Sequence, residues 1–226
     1  MGPPELPRHR RGVAPQGRSR FPDHDVLSQA RHWDETTRKL VVDRVDNVPS
    51  IEFFTASEER ALRAFCDVVM AQDSEPRIPV LEYIDEKLAR GERDGYRYFM
   101  LPDDDELWRL VARGLDNQAR AAGADDYAGA TLQTQQLIVE HFSQAKLHGE
   151  PWSSVNVAFA WEIVHRDILN AFYAHPWAWN EIGFGGPAYP RGYSRFGSPH
   201  LPNSERETWE GREAVSYDPG FMREGE

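Results

Sequence analysis

The chain has a single cysteine, Cys66, among its 226 residues. No internal disulfide can form, and nothing in the chain calls for an oxidising compartment. A c-type haem attachment, which takes two cysteines, is excluded with it. Long apolar runs are also missing: no window approaches the roughly 18 apolar residues of a membrane span. None follows the Arg10-Arg11 pair that would otherwise suggest a twin-arginine leader, so the expected setting is cytoplasmic, without direct membrane insertion. There is no Gly-x-Gly-x-x-Gly after a strand, so the chain lacks the fingerprint of a dinucleotide-binding fold. There is no Gly-x-Ser-x-Gly elbow either, and Cys66 has no basic neighbour beyond Arg63 to activate it. Positive charge is scarce, with 26 Lys and Arg against 37 Asp and Glu for a net of -11. That balance argues against general nucleic-acid binding, where clustered positive charge supplies most of the affinity.

The chain does have aromatic residues, at 12% in a sequence whose mean hydropathy is -0.66. Its 40% hydrophobic and 28% charged residues suit one modest core with extensions. Residues 1–24 read as a flexible basic arm, Pro/Gly-rich, with Arg8, Arg10, Arg11, Arg18 and Arg20 against Glu5 over residues 1–22. Residues 25–50 read as a lead-in: a turn or short helix near 26–31, then an extended segment carrying Leu40, Val41, Val42 and Val45 and ending at Pro49.

Helical spacing dominates from residue 51. Thr55 and Glu58 stand at capping-box distance, and Ala61, Leu62, Phe65, Cys66, Val69 and Met70 recur at three- and four-residue steps behind them. Cys66 on this stripe reads as an inert core thiol. Pro79 suits the first turn of a second helix with Val80, Leu81, Ile84 and Leu88, which Gly91 can end in a left-handed cap. Asp103 to Glu106 precede the stripe Leu107, Trp108, Leu110, Val111 and Leu115. This run reads as a solvated helix cap, since the later oxygen ligands and glycine of a calcium loop are missing. A fourth helix is expected from Thr131 or Thr134 to Leu147 and a fifth from Ser153 or Ser154 to Ala174. The fifth is apolar on much of its circumference. The fold class is therefore mainly α, a compact bundle of about five helices over residues 51–197 with irregular N- and C-terminal arms, the latter being residues 198–226.

Residues 172–197 hold five glycines and three prolines, and pack Trp177, Trp179, Phe184, Tyr189, Tyr193 and Phe196 among them. So many backbone specials are expected to give an irregular path rather than a helix or strand, and such rings need a surface to bury them. An interface anchor is the favoured role for Trp177 and Trp179 over stacking on a sugar, and Arg191 and Arg195 match carboxylates on a partner better than a phosphate. His175 is open to three roles, a base, a C-terminal dipole partner or a packing residue, with the structural ones favoured.

The pattern Pro176, Glu181, Ile182, Gly183, Phe184, Gly186, Pro187, Pro190, Gly192 and Tyr193 resembles the C-terminal signature of the gluconate 2-dehydrogenase subunit 3 family. Phe53-Phe54-Thr55 and Ile78-Pro79-Val80 extend the resemblance over about residues 50 to 197. It implies a non-catalytic small subunit that binds and stabilises a separate FAD-containing large subunit of the glucose-methanol-choline (GMC) oxidoreductase type, acting on gluconate, a sugar or a glycoside. A cytochrome c subunit is a possible further partner, and export alongside a signal-bearing large subunit is the alternative to a cytoplasmic setting. Neither cofactor nor catalytic residue is expected on this chain. The partner-binding residues implied are Trp177, Trp179, Glu181, Phe184, Tyr189, Arg191, Tyr193, Arg195 and Phe196. Two alternatives stand beside this reading: a transient chaperone for maturation of the large subunit, and a helical metal-dependent enzyme. The latter would use Glu162 and His165, whose Glu-x-x-His spacing puts a carboxylate and an imidazole on one helical face; the chain offers no second copy of the motif.

Overall fold

The computed structural model describes residues 25–73, 75–92 and 98–187. The arms expected over 1–24 and 198–226 lie outside the described residues. Among those described, every regular element is helical: α1 (Glu35–Asp46), α2 (Ala56–Val69), α3 (Val80–Ala89), α4 (Asp104–Ala121), α5 (Leu132–Ser143), α6 (Val157–Tyr173) and α7 (Pro176–Ile182), with 3-10 helices at Val26–His32 and Trp152–Ser154. The mainly α expectation holds, and α1 and α7 come in addition to the five helices expected.

The chain divides into two compact units. One holds residues 48–73 and 79–172; the other draws together 25–47, 75–78 and 173–187. In the larger unit α2 opens with a complete capping box: the Thr55 hydroxyl accepts from the Glu58 N–H at 3.4 Å, and the Glu58 carboxylate accepts from the Thr55 N–H at 2.9 Å. Gly91 takes φ +64 after α3, as expected of a left-handed cap, while Pro79 sits at the cap position just before that helix. Of the acidic run, Asp103 occupies the N-cap position of α4 without a side-chain capping bond and Glu106 is exposed, but Asp104 is buried, so the run is not wholly solvated. Helix α5 stops at Ser143, short of the expected Leu147, where Ala145 turns to φ +55. Helix α6 starts three residues later than expected, where Asn156 Oδ1 accepts from the Phe159 N–H at 3.1 Å.

Aromatic rings fill the larger unit. Phe65 of α2 lies 6.0 Å from Phe142 of α5 and 6.4 Å from both Tyr127 and Trp161, and Phe142 meets Trp152 at 4.8 Å. Trp152 lies so close to α4 that a Cβ at Gly114 would fall 2.3 Å from its ring, so only glycine fits there. Cys66 is sealed in this core, and burial pushes its thiol far above the ordinary value, as an inert thiol requires.

Two buried carboxylates staple the unit. Asp85 of α3, fully buried, accepts from the consecutive N–H groups of Glu52, Phe53 and Phe54 at 2.7, 3.0 and 2.9 Å. It thereby satisfies the backbone of the segment that enters α2. Asp167 of α6 accepts from the Trp108 indole N–H at 3.2 Å and faces Lys87 Nζ at 3.5 Å.

The smaller unit corrects two expectations. Residues 35–46 form a helix, not an extended segment. Asp34 caps it by accepting from the Thr37 hydroxyl at 2.6 Å and the Thr37 N–H at 3.0 Å, which hold its carboxyl below the usual range. Lys39 and Asp43 pair at 2.6 Å one turn apart. Val41, Val42 and Val45 then share one face against Val26, Leu27, Ala30 and Trp33. The valines suggested a strand because β-branching favours it, but the cap and the face they share outweigh that modest preference. The second correction falls in the aromatic run, where residues 176–182 form helix α7 instead of an irregular path.

Candidate functional site

Helix α7 is made by its two ends. His175 occupies the N-cap, where its Nδ1 accepts from the Trp177 N–H at 3.2 Å, and Pro176 follows at the first helical position, whose N–H no helix would use. The imidazole thus serves the N-terminus of the following helix. At the other end Gly183 takes φ +68. Its N–H donates to Asn180 O at 3.3 Å and the Phe184 N–H donates to Trp179 O at 2.9 Å, the paired bonds of a Schellman motif. The prolines and glycines read from sequence as helix breakers are the helix's start and stop.

The inner side of α7 is tied to the chain's first described residues. Asn180 Oδ1 accepts from the Val26 N–H at 2.8 Å in a buried bond spanning 154 residues. Gly186, at φ +77, lies where a Cβ would fall 2.8 Å from Val26 and 3.0 Å from Trp33. Arg44 of α1 donates to Ala174 O, at the link between α6 and α7. Ala178 and Glu181 are buried with Asn180.

The outer side is apolar. Ile182 is 50% exposed, Tyr173 45% and Phe184 38%. Between them Trp179 packs partly on the core of the unit, meets Phe184 edge to face at 5.5 Å, and donates its indole N–H to Tyr173 O at 2.6 Å. Trp177, half-buried, stands edge-on to His175 at 4.8 Å, and its buried indole N–H finds no acceptor among the described residues. Of the expected partner-binding residues the structure therefore brings Trp177, Trp179 and Phe184 to one short helix and its cap. It buries Glu181. Tyr189, Arg191, Tyr193, Arg195 and Phe196 lie outside the described residues. Tyr173 and Ile182 are exposed beside them and were not among the expected residues; their signal is that both are apolar yet fall at helix ends, off the buried stripe.

Glu162 and His165 share the outer face of α6, as their spacing requires, but each is engaged separately. The Tyr98 hydroxyl donates to Glu162, lying 2.9 Å from both oxygens, while His165 stacks on Trp161 at 4.9 Å and 11°. Partial burial holds the His165 imidazole below its ordinary value. Among the described residues no three His, Cys, Asp or Glu side chains gather as a metal ion would need. No helix among them is long and apolar enough to cross a membrane.

No curated protein and no solved structure matches the chain. The family model described as Gluconate 2-dehydrogenase subunit 3 matches residues 56–186, which run from the first turn of α2 to the glycine packed on Val26 and Trp33. With more than half its length inside that match, the chain belongs to the gluconate 2-dehydrogenase subunit 3 family.

Proposed function

We propose that this chain is a non-catalytic small subunit that binds the FAD-containing large subunit of a GMC-type dehydrogenase acting on gluconate, a sugar or a glycoside, and holds it in its folded, flavin-loaded state. The observation that carries the reading is the exposed face of α7, where Tyr173, Ile182 and Phe184 surround Trp179 on a helix fixed at both ends. A rigid aromatic cluster of this kind meets a partner at low ordering cost. The family's own name, that of a dehydrogenase subunit, supports a partner chain.

The flavin is assigned to that partner on the chemistry of this chain's glycines. Gly183 and Gly186 follow the C-terminus of a helix, where carbonyl groups and the negative end of the dipole collect. A pyrophosphate is held instead at a helix N-terminus that follows a strand. A small subunit then acts by linkage: binding only the folded large subunit, it raises that subunit's stability with its own concentration. Assembly is placed in the cytoplasm, with a cytochrome c subunit as a further partner of the finished complex.

The test is affinity capture of the tagged full chain from its host, recording partner mass and visible absorbance. A stoichiometric large protein with the absorbance of an oxidised flavin is expected. A colourless chain eluting alone overturns the reading. Changing Trp177 and Trp179 to Ala is expected to weaken that capture while the isolated chain keeps its helical content. Because Trp179 also packs on the unit's core, Phe184→Asp at the exposed rim is the cleaner companion.

A further inference from the structure

A second apolar feature stands on the larger unit. Residues 98–101 form a tight turn in which the Leu101 N–H donates to Tyr98 O at 3.0 Å, leaving Phe99 and Met100 at its tip. Both flanks are anchored. Tyr98 stacks flat on Phe159 of α6, with centroids 4.1 Å apart and planes 7° apart, and its hydroxyl binds the Glu162 carboxylate. Leu101 is buried on the other flank. Phe99 is 92% exposed, the most of any large apolar side chain among the described residues, and Met100 beside it is 49% exposed.

Scattered exposed apolar residues are ordinary on protein surfaces and need no explanation. This pair differs because the fold spends a ring stack, a charged hydrogen bond and a buried leucine on holding the turn that presents it. Rings and methionines on a fixed backbone are what the dry centre of an interface uses, and a tip already ordered loses little freedom on docking. Directly after it come Pro102 and, at the start of α4, the half-buried Asp103 and Asp105 and the exposed Glu106. The matching surface is therefore an apolar socket edged with lysine or arginine, since like charge beside a docked ring is costly.

We infer that the Phe99–Met100 turn is a docking knob that inserts into an apolar, basic-rimmed socket on the partner subunit of the dehydrogenase. The inference rests on the reading that the chain is a subunit of such a complex, and it names a contact that the aromatic run 172–197 does not include. It also assigns Glu162 a positioning role, orienting Tyr98 and with it the turn.

The test uses the full chain and its captured partner, with affinity measured for the unsubstituted chain, Phe99→Asp, Phe99→Ala and Tyr98→Phe at low and high salt. Phe99→Asp is expected to weaken binding by about tenfold or more and Phe99→Ala by several-fold. Tyr98→Phe is expected to have a smaller effect that vanishes on a Glu162→Ala background, where the acceptor is gone. Melting temperature and helical content should not move, because the ring touches no core. Unchanged affinity of Phe99→Asp in a complex that Phe184→Asp breaks overturns the knob and leaves the proposed function standing. No complex with the unsubstituted chain overturns both. A lowered melting temperature for Phe99→Ala, or self-association of the chain that Phe99→Asp abolishes, overturns the knob by giving the ring another occupant.

Discussion

The two units of this chain are held by different means. The larger is a set of helices two to five turns long around interlocked rings, and two of its buried carboxylates bind donors on other elements. Asp85 accepts from three successive N–H groups and Asp167 from an indole with a lysine beside it. The smaller joins three separate stretches of sequence around a core of Val26, Leu27, Ala30, Trp33 and Val41. Buried atoms without a hydrogen-bond partner among the described residues occur in both units, Glu82 Oε2, Asp105 Oδ1 and Trp152 Nε1 in the larger and Gln29 Oε1, Trp33 Nε1 and Trp177 Nε1 in the smaller, so core size is what separates the two. A core that small buries little surface to offset the entropy of ordering its chain. The larger unit therefore supplies most of the stability, and the smaller, which carries the α7 face, is the part that opens more readily.

That contrast can be broken most directly at Asp85. Asp85→Ala strands the three N–H groups that lead into α2, at an expected cost of about 3 kcal/mol or more, a large share of a domain's total stability. Loss of cooperative melting by circular dichroism is the expected result; an unchanged melting curve would show that the staple is decorative. Next in size is Asn180→Ala, which removes the acceptor for the Val26 N–H and costs about 1–2 kcal/mol. Hydrogen exchange should quicken across residues 26–32 and 176–182 while the amides of α2 and α4 keep their protection. Uniform quickening throughout would mean the two units open together. The smallest effect is expected at His165. Burial makes its imidazole release a proton more readily in the folded chain than in the unfolded one, so protons favour the unfolded state. Stability should fall as pH drops below the ordinary imidazole value of about 6.5. His165→Gln should flatten that decline, read by thermal melts between about pH 5 and 7.5.

Much of the larger unit was legible because its signals are local. The capping box at Thr55 and Glu58, the stripe through Phe65 and Cys66 and the left-handed Gly91 all lie within a few residues of what they control. The smaller unit was harder to read, since its determinants pair across the chain. Nothing near Val26 announces that Asn180 will accept from its backbone, and the β-branched valines of α1 mimic a strand until a partner face exists for them. In the candidate site, composition pointed to the right aromatics but not to their arrangement: Pro176 and Gly183 look like interruptions until the two-turn helix between them is seen. Asp85 gave no signal at all, because an acid on a helix with charged neighbours looks solvated.

The sealed thiol of Cys66 has a practical consequence. The chain carries no other sulfhydryl, and this one cannot react while the helices around it stay closed. The rate at which a thiol reagent consumes it is therefore a clock that counts openings of the larger unit alone, read without adding a probe. A cysteine placed at Phe99 or Ile182 would by contrast be the single reactive handle on the folded molecule, so a dye or crosslinker attached there would report from a known address.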